Sequence, residues 1–300
     1  MTTVAFIGIG TMGFPMATNM LAAGFAVRGY SRTGATRERF AKSGGLAAAS
    51  VREAVQGADI VCLMLPDSPD VEQVMTVPDG VLGAAAPGTL VVDFSTVTPA
   101  CSMSMAEASQ TAGCRYIDAP VSGGEAGAID GTLSVMVGGD EADVERARPV
   151  IEAVSAAMRR VGGVGSGQAV KAANQLLVAG QLVLVAEALQ LLRSFPLDID
   201  AALDVLRKGL AGSTVLDRKA MSMLAGDTRP GFRSELHHKD LGIVAGLARE
   251  NGVATPVTAV VAQLMSALVA TGRGALDHSA VSLLIGELSR PNHVSLREEQ

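Results

Sequence analysis

The first half of the chain alternates short, almost continuously apolar runs with segments of helical spacing. VAFIGI, FAVRGY, DIVCLML, TLVVDFS, YIDAP and TLSVMVGG read as strands. They lack an in/out alternation, which is the pattern of parallel strands covered on both faces. Between them, PMATNMLAAG and PACSMSMAEASQTAG carry helical periodicity and end at Gly24 and Gly113, where a helix C-terminus favours glycine. The βαβ alternation predicts an α/β fold with an N-terminal Rossmann-type, doubly wound parallel sheet. After VGGVGSG the strand signals stop and long helix-compatible stretches follow, so the second half is predicted to be an all-α domain. The expected boundaries are 1–163 for a dinucleotide-binding domain and 164–300 for a helical substrate and oligomerisation domain. The polar tail PNHVSLREEQ reads as frayed surface.

Composition narrows the partners. At 300 residues and 48% hydrophobic content the chain can bury large cores. Its formal net charge of −6 argues against nucleic acid or an anionic membrane as partner. Cys62, Cys101 and Cys114 are widely spaced and form no CxxC, so they read as small apolar residues in a reducing cytoplasm. No basic segment precedes an apolar signal stretch. Even LLVAGQLVLVAEALQLL carries Gln181, Glu187 and Gln190, which suits a buried helix better than a membrane span.

Gly8-Ile-Gly-Thr-Met-Gly13 follows a strand pattern and opens a helical one. In that context Gly8 permits a tight turn, Gly10 lets backbone approach a pyrophosphate, and Gly13 lets helix and strand pack closely. Thr11 and Met12 lie at the helix start, whose N–H groups favour phosphate. At the end of the next strand, where an acid often binds the adenosine ribose, the chain has Ser31-Arg32-Thr33. A guanidinium and two hydroxyls without a carboxylate favour NADP(H) over NAD(H); the alternative is that Arg32 is a solvated loop arginine.

Two further stretches bear chemistry. In DAPVSGGEAGAIDGTLSVMVGG, the triplet Ser122-Gly123-Gly124 offers N–H groups and a hydroxyl for a carboxylate, or is simply a loop. In GQAVKAANQLLVAG, helical geometry puts Gln168, Lys171, Asn174 and Gln175 on one face. Lys171 is either a snorkelling surface lysine or a cleft lysine. In a cleft, desolvation would lower its pKa from about 10.4 toward neutrality and make it a usable general acid and base. Lys239 and Asp240, in PGFRSELHHKDLG, read locally as an ordinary surface pair. His237, His238, His278 and His293 show neither HxxxH nor HExxH spacing, so no metal is expected.

Together FIGIGTMGFPMATNM, MLPDSPDV, DFSTVTP, the DAPVSGG stretch, GQAVKAANQ and LHHKDL resemble the β-hydroxyacid dehydrogenase family across essentially the whole chain. Within that family, EAGAIDGTLSVMVGG, KGLAGSTVLD, PGFRSELHHKDL and DHSA look most like the tartronate semialdehyde reductase branch. The resemblance implies Lys171 as catalytic lysine and Ser122, Gly123 and Gly124 as the substrate-carboxylate loop. It implies Asn174 or Gln175 as a substrate amide, and Leu65, Pro66 and Thr96 as cofactor contacts. Lys239 matches a lysine closing over the nicotinamide, with Asp240 orienting it or the substrate. It also implies a homodimer or homotetramer acting on a small carboxylate-bearing aldehyde or hydroxy acid. Other 3-hydroxy acids, such as 3-hydroxyisobutyrate, are the alternative substrates. A non-catalytic nucleotide-binding protein is the alternative of a different class.

Overall fold

In β1 (Thr3–Ile7), β4 (Ile60–Leu63) and β5 (Leu90–Asp93) nearly every residue is buried, because both faces of the sheet are covered. Val4, Phe6, Cys62 and Val92 pack into one core layer, and Ala5, Ile7, Val61, Leu63 and Val91 into another. The continuous apolar runs in the sequence reflect this two-sided burial. The computed structural model describes residues 2–289; Met1 and residues 290–300, with His293 and the tail PNHVSLREEQ, lie outside the described residues.

The remaining strands are β2 (Ala26–Tyr30), β3 (Leu46–Ala47), β6 (Arg115–Asp118), β7 (Val121–Ser122), β8 (Leu133–Gly138) and β9 (Ser155–Gly162). The sheet runs β3-β2-β1-β4-β5-β6-β8-β7, with β9 on β8. Pairing is parallel from β3 to β6, in a register that sets Val4 beside both Val27 and Ile60. The strand from TLSVMVGG, β8, departs from the expected all-parallel sheet, since it runs antiparallel to β6 and β7. The sequence reading lacks β3, β7 and β9. The first two are only two residues long, and β9 pairs only with β8 and leaves most of its residues partly or fully exposed, so it has no apolar run.

Helices α1 (Gly13–Ala22), α2 (Gly34–Lys42), α7 (Gly124–Asp130) and α8 (Glu141–Glu152) contribute Met16, Phe40, Ala128 and Val150 to the first core layer. The other layer takes Val55, Met75, Val81 and Met105 from α3 (Val51–Val55), α4 (Ser68–Thr76), α5 (Val81–Ala84) and α6 (Pro99–Thr111). Chain order reverses around β1, which lies between β2 and β4, so the glycine turn that follows β1 sits at the topological switch point.

The chain divides into two compact units, Met1–Asn174 and Gln175–Gln300. Among its described residues the second unit is helical apart from an isolated bridge, Arg233 to Asp277. It comprises the rest of α9 (Ser166–Arg193), then α10 (Ile199–Lys208), α11 (Thr214–Ala225), α12 (Ser234–Glu250), α13 (Pro256–Leu268), a 3-10 turn (His278–Ala280) and α14 (Val281–Leu288). Its core joins Leu182 and Ala186 of α9 to Leu203, Leu216, Leu241, Met265 and Ile285. By length and composition alone α9 could cross a membrane; Ala179, Leu182 and Ala186 instead are fully buried in this core.

The division falls inside α9, beyond the glycine-rich segment at which the sequence changes character, because the first turns of α9 are tied to the sheet. Asp118, fully buried at the end of β6, accepts the N–H of Gly165 at 2.7 Å and that of Gln168 at 2.9 Å. It thereby supplies acceptors that the N-terminus of α9 cannot find within the helix. The Gln168 amide reaches the strand-end loop after β5, donating to the Ser95 carbonyl at 2.9 Å and accepting the Val97 N–H at 3.2 Å.

Burial pushes the Asp118 carboxyl up to about 6 although the two N–H bonds pull it down. A carboxyl that holds its proton more tightly when folded contributes stability that is complete below about pH 4 and lost as pH rises through about 6. Asp118→Asn removes that contribution and leaves one helix-terminal N–H facing a donor. Urea unfolding at about pH 7 is expected to show a loss of about 1–3 kcal/mol. The gap to wild type should widen toward about pH 4; a gap constant with pH would contradict this role.

Candidate active site

The three glycines after β1 have different reasons to be glycine. Gly8 has φ of +101°, and a Cβ there would lie 2.2 Å from the Met64 carbonyl oxygen; one at Gly13 would lie 2.0 Å from the Gly8 oxygen. The fold itself therefore demands both. Gly10 is exposed, and a Cβ on it would meet nothing within 4 Å. Space, not packing, sets that position, and no side chain caps the N-terminus of α1 beside it. An uncapped helix start behind an open glycine fits a dinucleotide pyrophosphate.

A cavity of about 380 Å³ gathers Gly8, Gly10, Ser31, Arg32, Leu65 and Pro66 from the predicted cofactor set. Thr11 lines a second cavity of about 620 Å³ that also includes Gly10. Met12 packs against the core, Thr33 is the N-cap residue of α2, and Thr96 is half-buried in the loop after β5. The Leu65 N–H is anchored on Ser95 Oγ at 2.9 Å.

The expectation of a carboxylate-free ribose pocket needs correction. Asp70, from α4, lines the same cavity, and its Oδ1 lies 3.6 Å from Arg32 Nη1. Arg32 is 80% exposed and Asp70 is 31% exposed, so the pair is weak. A second guanidinium reaches the same loop: Arg37 Nη1 donates to the Ser31 carbonyl at 2.6 Å and to that of Arg32 at 3.3 Å. Neither Asp70 nor Arg37 was singled out in the sequence, since each comes from a helix whose approach to the loop depends on the fold.

The first turns of α9 turn the ordinary amphipathic pattern around. Lys171 is only 6% exposed, with Gln168 and Gln175 also buried, whereas Val170, Leu177, Leu184 and Leu191 are exposed. Lys171 is therefore not a snorkelling surface lysine. Within the first unit, Ser122 Oγ donates to Asn174 Oδ1 at 3.4 Å. Gly123 and Gly124 have φ of +138° and +66°, so the SGG turn requires glycine for its backbone as well as for any ligand.

The neighbouring amides divide their tasks. Asn174 goes with Ser122, while Gln175, in the second unit, donates from Nε2 to Asp240 Oδ2. Lys239 Nζ lies 3.0 Å from the other oxygen, Oδ1. With side-chain exposures of 18% and 3%, Lys239 and Asp240 are not the surface pair that their adjacency suggests. Asp118 is the supporting residue that local patterns do not flag, because its partners Gly165 and Gln168 are far away in sequence.

Residues 3–165 match the family model of the NAD binding domain of 6-phosphogluconate dehydrogenase, and residues 165–285 match that described as NAD-binding of NADP-dependent 3-hydroxyisobutyrate dehydrogenase. The 2-hydroxy-3-oxopropionate reductase of Escherichia coli is 37% identical over 93% of this chain and 95% of its own. The NAD-dependent L-serine dehydrogenase of Pseudomonas aeruginosa is 36% identical over 95% of this chain and 98% of its own. Among solved structures, Mycobacterium tuberculosis 3-hydroxyisobutyrate dehydrogenase with L-serine superposes with a TM-score of 0.86 at 34% identity, covering 95% of this chain and 99% of that one. With the glycine turn, the cavity beside it and the sheet order, these matches establish that the chain belongs to the β-hydroxyacid dehydrogenase family and is an NAD(P)-dependent oxidoreductase acting on a CH–OH group.

Proposed function

We propose that this enzyme reduces tartronate semialdehyde to D-glycerate, reversibly, with NADPH preferred over NADH and Lys171 as the proton donor. The observation that carries the reading is the near-complete burial of Lys171 on the polar face of α9. An ammonium held away from water must serve a purpose that offsets its desolvation, and proton transfer to a carbonyl oxygen is such a purpose. A bound reduced nicotinamide supplies the hydride that the carbonyl carbon accepts. The Lys171 ammonium gives its proton to the carbonyl oxygen, and in the oxidation direction the neutral amine takes it back from the hydroxyl. The Ser122 hydroxyl, turning from Asn174 to donate to the substrate carboxylate, binds it together with the N–H groups of Gly123 and Gly124, and the released Asn174 amide joins the substrate set. Gln175 and Asp240 complete the substrate set, and Lys239 serves the cofactor.

The resemblance to the E. coli reductase over 93% of the chain supports the choice of aldehyde. The similarly close L-serine dehydrogenase makes serine, beside 3-hydroxyisobutyrate, the substrate to test against it. Ser31, Arg32, Thr33 and the additional Arg37 support NADPH, with Asp70 as the opposing charge. Exposed Leu177, Leu184 and Leu191 recur every seven residues along α9, an apolar stripe that supports a homodimer or homotetramer. Three free, buried thiols suit a reducing, cytoplasmic setting.

The deciding assay is kcat/KM for tartronate semialdehyde with NADPH and with NADH, beside methylmalonate semialdehyde in the reductive direction and serine in the oxidative one. Preference for another substrate would move the enzyme to another branch. In the same assay Lys171→Ala is expected to lower kcat by roughly 10² or more with nicotinamide binding retained, and near-normal turnover would remove Lys171 from the mechanism. Arg32→Ala is expected to weaken NADPH far more than NADH, whereas equal weakening would refute a 2′-phosphate role. Leu184→Glu is expected to lower the oligomeric state measured by light scattering; an unchanged mass would clear this stripe of any role in assembly.

A further inference from the structure

The motifs LHHKDL and DHSA, far apart in sequence, meet inside the second unit. His237, on α12, is fully buried and His278, in the 3-10 turn, nearly so. Their Nδ1 atoms are 3.0 Å apart, and His237 Nε2 lies 3.1 Å from the Gln175 carbonyl oxygen. The Phe232 ring stands edge-on to both imidazoles, at 5.6 and 5.5 Å.

Behind His278 lies Asp277. Its Oδ1 is 4.0 Å from His278 Nε2 and 2.7 Å from Lys219 Nζ. The carboxylate also accepts the N–H groups of Gly231, Phe232 and Ser279. Burial pushes this carboxyl up, but His278, Lys219 and the Ser279 hydrogen bond outweigh it and hold it well below the usual carboxylate range. Asp277 thus stays ionised and favours a proton on the imidazole beside it.

Proton counting fixes the rest. A carbonyl oxygen only accepts, so His237 carries hydrogen on Nε2. The contact between the Nδ1 atoms requires one hydrogen, neither none nor two. The neutral pair is therefore His237 with Nε2–H and His278 with Nδ1–H. One added proton fits on His278 Nε2, toward Asp277. A second would set N–H against N–H across 3.0 Å and break the contact.

We propose that His237 and His278 are positioning residues of the active site: a buried imidazole pair, carrying a single positive charge against Asp277, that sets the α9 main chain at Gln175, from which the side-chain amide reaches Asp240. The inference rests on the reading above that Gln175 and Asp240 belong to the substrate-binding set. Groups facing the pair include Gln175 from α9, Lys219 from α11 by way of Asp277, and Phe232 and Asp277 from the flanking loops, with the charged Asp240 and Lys239 further along the helix that carries His237. Acidification forces the second proton on and separates the rings, shifting the His237 imidazole against which the α9 main chain at Gln175 rests, so kcat/KM falls on the acid side.

With only four histidines in the chain, selective ¹⁵N-histidine labelling of the whole enzyme resolves each ring, and His238→Asn and His293→Asn assign the other two. Long-range ¹H–¹⁵N spectra are expected to show Nε2–H on His237, a hydrogen shared between the Nδ1 atoms, and one charge per pair down to the pH at which both rings change together. Two rings titrating independently, as an exposed histidine does, would overturn the proposal. His278→Asn and His237→Gln are expected to lower kcat/KM roughly tenfold to a hundredfold and to move its acid limb. An unmoved acid limb in a folded variant would overturn the positioning role, and if both variants fail to fold the wild-type spectra and acid limb decide. The spectra need no substrate. Failure of the broader reading would instead appear as turnover retained by Lys171→Ala, whatever the histidines show.

Discussion

A buried lysine is the constraint around which the first turns of α9 are organised. Taking a lysine out of water costs free energy, yet the first turns of α9 carry Gln168, Lys171 and Gln175 inward. The inward turn needs fixed partners: Asp118 holds the first N–H groups of α9, and the Gln168 amide ties the helix to the loop after β5. Polar residues facing in leave apolar ones facing out. The leucines on the outer face of α9 are thus the complement of the lysine on its inner face, and both follow from one rotation of the helix about its axis.

The parts of this fold that were legible in the sequence are those governed by contacts close along the chain. Sterics at Gly8 and Gly13, two-sided burial of β1, β4 and β5, and helix ends at Gly24 and Gly113 all leave local traces. The supporting shell leaves none. Asp118 meets Gly165 and Gln168, and His237 meets His278, across long separations, and nothing adjacent to any of them announces the partner. Lys171 shows a different kind of limit. Its helical face was readable, but the usual rule that apolar faces turn inward, which α9 obeys from Ala179 to Leu189, points the wrong way for its first turns, where Gln168, Lys171 and Gln175 are buried.

The cavity beside the glycine turn shows how a local reading is altered by a neighbour in space. Ser31-Arg32-Thr33 lacks an acid in sequence, yet α4 brings Asp70 into the same cavity and α2 brings Arg37 to the same loop. Charge at such a pocket is a sum over elements that chain order keeps apart. In the second unit Asp277 does comparable work, gathering a lysine, three N–H groups and a neighbouring imidazole at one buried carboxylate.

Gly10 separates two pressures that coincide at its neighbours. A side chain at Gly8 or Gly13 would collide with backbone, so loss of either glycine damages the fold and the nucleotide site together. At Gly10 an added methyl group would project into open space, leaving the protein folded but obstructing the approach to its turn. A replacement at that position can alter access to the turn while meeting none of the clashes that Gly8 and Gly13 impose.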